Sequence, residues 1–175
     1  MLRRRDSKVL PISCQRRAAY ANILRMDDID RKILAELQQD GRLTVTELSE
    51  RIGLSLSPCQ RRLRALEQAK VISGYRATID PASVGLNFSA IVFATLREVT
   101  SKNVSSFEDA LQGIREVTRA ERLFGDPDYM LHVVTHDLNA FQTLYDRSLL
   151  TLPCVLRLSS TLVMKSICHD RPLPL

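Results

Sequence analysis

The hydrophobic period of this chain changes once, and that change constrains what it can fold into. Between residues 27 and 69, apolar side chains recur every three or four positions, the repeat of helices that each bury one face. After Val71 several segments alternate by two instead, the repeat of strands with one buried side. Short helices first, then strands mixed with helices, is an α+β pattern, and 175 residues suffice for two small domains.

The helical part divides at its own stop signals. Residues 27–40, DDIDRKILAELQQD, place Ile29, Ile33, Leu34 and Leu37 on one stripe, with Asp27 or Asp28 as N-cap and Gly41 as the expected stop. The next segment, TVTELSERIG, offers Thr44 and Glu47 as a capping box, Leu48 and Ile52 as its apolar side, and Gly53 as its end. A third helix opens at Ser55 or Ser57, tolerates Pro58 in its first turn and runs to about Ala69. Its apolar stripe is Leu56, Cys59, Leu63 and Leu66. Two short helices pivoting on a glycine have the helix-turn-helix spacing.

Charge is segregated along this part. From Asp27 to Glu50 there are seven acids and three bases; from Arg51 to Arg76 there are six bases and one acid. A merely solubilising surface gains most from mixed signs, so the basic third helix, LSLSPCQRRLRALEQAK, calls for an anionic partner. Ser57, Gln60, Arg61 and Arg64 lie beside or opposite its apolar stripe. These side-chain types contact phosphates and base edges in a major groove, arginine pairing with guanine and glutamine with adenine. The high pI has another source: residues 1–25 hold seven bases and one acid, against 18 and 19 in the rest. That leader has no structural period and reads as a disordered or artefactual extension, with Met26 as the natural start.

Residues 71–80 (VISGYRATID) read as a strand ending at an Asp80-Pro81 turn, followed by a loop. The order beyond Phe88 is strand, helix (102–112), strand (116–124), strand (128–135), helix (138–150) and strand (155–167). The second helix is expected to bury Leu138, Phe141, Leu144 and Tyr145, and the last strand to alternate through Leu156, Leu158, Leu162 and Met164. This βαββαβ order is that of a ferredoxin-like split βαβ fold. Two helices cover one sheet face, and a second copy of the chain is the simplest cover for the other.

Signs of catalysis are scarce. No GxSxG, Walker A or GxGxxG sequence occurs, and no nucleophile stands with a base. His132 and His136 fall on a strand, where a spacing of four separates them by about 13 Å, and His169 beside Cys168 lacks further ligands. No catalytic residue, metal site or cofactor is therefore assigned. The four cysteines form no CxxC pair and read as reduced intracellular thiols. No apolar run approaches the ~20 residues of a membrane span. The unusual polar feature of the second part is the turn GDPDY, which is either a plain β-turn or a small-molecule site.

Five pieces in order, DDIDRKIL, LSLSPCQRRLRALE, GYRATIDPASVGL, GDPDYML and a closing PLPL, resemble the leucine-responsive/asparagine-responsive (Lrp/AsnC) transcription regulators, from Met26 to the C-terminus. The resemblance implies a bacterial, cytoplasmic, nucleoid-associated regulator that binds double-stranded DNA and responds to an amino acid or related metabolite. It implies a winged helix-turn-helix domain (26–70), a strand linker (71–87) and a ferredoxin-like, RAM/ACT-like domain (88–175) for effector binding and oligomerisation, after the 1–25 extension. Homodimers assembling to an octamer are implied as well. Ser57, Pro58, Gln60, Arg61, Arg62 and Arg64 become DNA-contact candidates. Gly125, Asp126, Asp128 and Tyr129 become effector-site candidates, with Ser159, Ser160 and Thr161 nearby. The chain departs from the family at Lys70 and Cys154, where glycine is usual, and at Arg115, where proline is frequent. If position 70 needs a left-handed backbone, lysine there costs roughly 1 kcal/mol. Two alternatives use similar parts. A sirohaem decarboxylase on this architecture would employ His132 and His136, and a low-specificity nucleoid architectural protein would use the third helix mainly for phosphate contacts.

Overall fold

The computed structural model describes residues 26–168 and 171–175. The expectations for the leader, including Cys14, and for His169 lie outside the described residues. The chain forms two compact units, one reaching to Ala77 and joined by the C-terminal residues 171–175, the other spanning Thr78 onward through β4. The segment expected as a linker is thus divided between the units, and the PLPL end clusters with the helices.

The first unit holds three helices: α1 (Asp28–Gln39), α2 (Val45–Ile52) and α3 (Leu56–Gln68). Asp27 caps α1 through a box with Asp30, and Thr44 caps α2 through a box with Glu47. These reciprocal bonds satisfy amide donors that a helix start leaves open. Gly53 ends α2 at φ 70°, the left-handed conformation glycine adopts without cost. The expected stop at Gly41 is corrected: α1 ends on Asp40 in extended conformation, and Gly41 has no positive φ. Ile33, Leu48, Ile52, Cys59 and Leu66 form the core, with Leu37 and Leu63 packed against it. Leu56, expected in the stripe, is half exposed because it opens the first turn ahead of the packed face.

Residues 71–80 form no strand. A strand is defined by a ladder partner, and none pairs with this segment among the described residues. It is held instead by end contacts: Val71 N–H donates to Leu66 C=O, and Tyr75 Oη donates to Glu67 at 3.0 Å. At the C-terminus, Gln38 binds Leu173 from both sides, accepting from its N–H at 2.6 Å and donating to its C=O at 3.3 Å.

The second unit is a four-stranded antiparallel sheet of β1 (Phe88–Leu96), β2 (Val117–Arg122), β3 (Tyr129–Thr135) and β4 (Val155–Leu162), in the order β2-β3-β1-β4. Helix α4 (Ser101–Leu111) follows β1, and α5 (Leu138–Leu144) follows β3 and continues into a π-turn at Tyr145–Leu149. This is the expected ferredoxin-like topology. Ala90, Val92, Ala94 and Leu96 of β1, with Tyr129, Leu131 and Val133 of β3, meet Val104, Phe107, Leu111, Phe141, Leu144 and Leu149 in one core. The Phe107 and Tyr129 rings stand 4.6 Å apart.

Two expectations for this unit are corrected. Leu138 is half exposed, because it is the first residue after the Asp137 cap and lies ahead of the buried turn. The last strand ends at Leu162, Met164 is fully exposed, and Leu156 and Leu162 are about half exposed, so of the expected stripe Leu158 alone packs against the core. Its partner β1 begins at Phe88, and the last bond between them runs from Val163 N–H to Ser89 C=O. Beyond that point no strand among the described residues continues the ladder.

Candidate DNA-binding helix and effector cleft

On α3 the burial pattern separates two faces. Cys59 and Leu66 face the core, whereas Ser57, Gln60, Arg61 and Arg64 are exposed. Their spacing of i, i+3, i+4 and i+7 aligns all four along one side of the helix. Pro58 is half-buried in the first turn, where its missing N–H costs nothing. Arg62 is turned the other way. Its Nη1 lies 2.8 Å from Asp27 and 2.9 Å from Asp30, so it ties α3 to the capping box of α1. The hydrogen bond from the Asp30 amide, with Arg62 beside it, holds the Asp27 carboxyl below its usual range. Arg51 is likewise engaged, 3.1 Å from Glu36. Of the basic run from Arg51 to Arg64, only Arg61 and Arg64 make no ion pair among the described residues. Exposed Arg61 and Arg64 therefore leave a basic face open on α3.

The GDPDY turn joins β2 to β3, closed by a bond from Leu123 N–H to Asp128 C=O at 2.7 Å. Gly125 sits at φ 136°, a conformation that a side chain would strain. Asp128 is committed to the scaffold: its Oδ2 accepts from the Leu96 amide at 2.8 Å, fastening the turn to the end of β1. Asp126 points outward. It accepts from Thr95 Oγ1 at 3.1 Å and lies 3.4 Å from Arg157 on β4. Thr95 and Arg157 are register partners across β1 and β4, so both side chains emerge on the same face. Around Asp126 two adjoining open depressions form. One, of about 450 Å³, is lined by Phe93, Thr95, Asp126, Pro127, Arg157 and Ser159 among others; the second is lined by Val99, Gly125, Asp128 and Leu156.

Tyr129 does not join this cleft. It is buried on the helix side, and its hydroxyl donates to Glu108 Oε1 at 2.9 Å. Burial, reinforced by that carboxylate, pushes its pKa up to about 12. Of the hydroxyls on β4, Ser159 lines the cleft, Ser160 pairs opposite Val92 on the helix face, and Thr161 pairs opposite Ile91. Thr95 and Arg157 were not foreseen. Only the β1–β4 register brings them to Asp126, and nothing local in the sequence announces it.

The two histidines are held apart from each other. His132 lies on the uncovered sheet face, 3.7 Å from Glu121, and His136 Nδ1 bonds Gly85 C=O at 2.9 Å. Among the described residues no group of three or more His, Cys, Asp or Glu is placed to hold a metal. No helix among them is long and apolar enough to cross a membrane.

Comparison with known proteins decides the family. Residues 26–73 match a winged helix-turn-helix DNA-binding model, and residues 89–173 match the Lrp/AsnC ligand-binding domain. The chain is 35% identical over 150 residues to a proline dehydrogenase transcriptional activator of Rhizobium radiobacter, covering 84% of this chain and 96% of the relative. It is 37% identical over 142 residues to the leucine-responsive regulatory protein of Escherichia coli, covering 81% and 87%. This chain belongs to the Lrp/AsnC family. Among solved structures, a transcriptional regulator of Neisseria meningitidis in complex with L-Met matches with a TM-score of 0.80 and 38% identity, covering 85% of this chain and 96% of that one. An AsnC-family regulator from Agrobacterium tumefaciens matches with a TM-score of 0.80 and 33% identity, covering 85% and 97%. The present Lrp/AsnC protein is thus a DNA-binding transcriptional regulator, with a winged helix-turn-helix unit and an α+β ligand-binding unit.

Proposed function

We propose that α3 reads DNA through Ser57, Gln60, Arg61 and Arg64, with Pro58 setting the first turn and Arg62 holding the helix in place. The observation that carries this reading is the single exposed face at i, i+3, i+4 and i+7, beside an Arg62 already neutralised by Asp27 and Asp30. Arginines on such a face pair with phosphate or guanine, and glutamine and serine read or position.

In the second unit the effector is an amino acid held at the β2–β3 turn. Gly125 permits close approach, Asp126 receives the ammonium group, and Asp128 fixes the turn on which both depend. Tyr129 supports that turn from the helix side through Glu108. The functional division in this reading is a DNA-binding part before residue 71 and an effector and oligomerisation part after residue 87.

The protein acts as a homodimer, the dimers assembling further to an octamer. The sheet face away from the helices supports dimerisation: Ile91, Phe93, Met130 and Val134 are only partly covered within one chain. The protein works in the cytoplasm on nucleoid DNA and performs no catalysis. Two α3 helices related by two-fold symmetry would enter successive major grooves, about 34–36 Å apart. Effector binding would change operator affinity by the usual coupling of about 1–3 kcal/mol.

The test is selection of bound sequences from a random DNA pool, with and without each amino acid. A pseudo-palindromic motif whose enrichment responds to one amino acid is the expected result. An unenriched pool bound as well as any selected sequence would instead indicate an architectural protein.

A further inference from the structure

The effector cleft holds a cation of its own. We propose that Arg157 captures the carboxylate of the effector, so that the cleft selects a complete zwitterionic α-amino acid with an apolar side chain. This rests on the reading above that the β2–β3 turn is the effector site.

Three observations carry it. First, the ionisable side chains lining the two depressions are Asp126, Asp128 and Arg157, which makes Arg157 their cation. Second, the two acids are not equivalent. Asp128 is spent on the Leu96 amide, whereas Asp126 is oriented by Thr95 Oγ1 and keeps its Oδ2 toward Arg157. One outward carboxylate and one guanidinium, 3.4 Å apart, form a pair with the opposite polarity at each end to an amino-acid zwitterion. Third, the pair is loose. Its side chains are 64% and 70% exposed, so water screens the attraction and little is lost when it opens.

A zwitterion entering between them exchanges one weak ion pair for two: ammonium with Asp126 and carboxylate with the planar guanidinium, which can bind it in bidentate fashion. Among the remaining walls, Pro127 on one side and Val99 and Leu156 on the other are apolar and suit a hydrocarbon or thioether side chain. Ligands lacking the carboxylate would leave Arg157 and Asp126 paired with each other and gain only their apolar contact.

The experiment compares amino acids with their amides on the full-length protein, by calorimetry and by shift of the melting temperature. All 20 amino acids are screened first, and the tightest binder is set against its own carboxamide and against its decarboxylated amine. The expected result is an apolar amino acid bound about tenfold or more tightly than its amide. Arg157→Gln should bring acid and amide within about twofold of each other, Arg157→Lys should restore most of the preference, and both variants should keep the wild-type melting temperature without ligand. Equal binding of acid and amide by the wild type overturns the role of Arg157, as does an undiminished preference in Arg157→Gln. Binding restricted to polar or acidic amino acids overturns the apolar selection. If no amino acid binds the wild type, the effector-site reading itself falls. If binding survives Asp126→Ala unchanged, the effector lies elsewhere, and the proposal falls with the site.

Discussion

Lys70 sits at φ 57°, just past the end of α3, where its N–H donates to Glu67 C=O and the next residue's N–H to Leu66 C=O. That pair of bonds is a Schellman ending, which calls for a left-handed residue and normally uses glycine. The side chain is exposed and gains nothing in return. Lys70→Gly should therefore raise stability by about 1 kcal/mol, seen as a higher urea midpoint at unchanged slope, while Lys70→Ala should not. Cys154 at φ 62° repeats the situation before β4. Both positions were legible as departures from family glycine; the backbone shows that the departures carry strain. At the same scale Asp126 and Asp128 part company. Asp126→Ala should remove the amino-acid-dependent melting shift and leave the unliganded protein as stable as before. Asp128→Ala should cost about 1–3 kcal/mol by stranding the Leu96 amide, whatever ligand is present. Thermal melts of the two variants with and without amino acid separate these effects.

At the scale of elements, α3 shows what a periodic pattern can and cannot reveal. The stripe of Cys59, Leu63 and Leu66 places the helix, and exposure of Ser57, Gln60, Arg61 and Arg64 follows from geometry alone. The neighbouring arginines look alike in sequence, yet Arg62 belongs to the scaffold because α1 presents Asp27 and Asp30 where it emerges. Arg61→Ala should weaken operator binding several-fold and, if it contacts phosphate, reduce the salt slope by about 1, with oligomer size unchanged. Arg62→Ala should leave that slope alone and lower helical-unit stability by no more than about 1 kcal/mol, the pair being partly exposed. Binding measured across a salt series distinguishes the two. The segment 71–80 is the opposite case: its β-like composition met no edge, and composition without a partner makes no strand.

At the scale of the whole molecule, the sheet face away from the helices leaves Ile91, Phe93, Met130 and Val134 only partly covered. Met130→Asp places a charge amid Ile91, Phe93 and Val134, away from the residues that line the cleft, and should reduce the assembly to a smaller species by light scattering, with the far-ultraviolet spectrum retained. If the assembly keeps its mass, the sheet face is not the dimer interface. If two α3 helices read the operator at once, as proposed, Met130→Asp should cost far more operator affinity than Arg61→Ala alone.

The sequence by itself determined the class of each unit, the capping box that starts α2, the βαββαβ order and the exposed basic side of α3. All of these are local: caps, glycine stops and apolar periods act within a few residues, so one stretch suffices to specify them. What only the tertiary structure decided was which like residues do unlike work. Arg61 and Arg62 are separated by α1, Asp126 and Asp128 by the end of β1, and Tyr129 is drawn away from its own turn to Glu108. Arg157 reaches Asp126 only because β4 pairs with β1 in one register. These assignments depend on contacts between residues 21 to 32 positions apart, and no local pattern encodes which partner arrives.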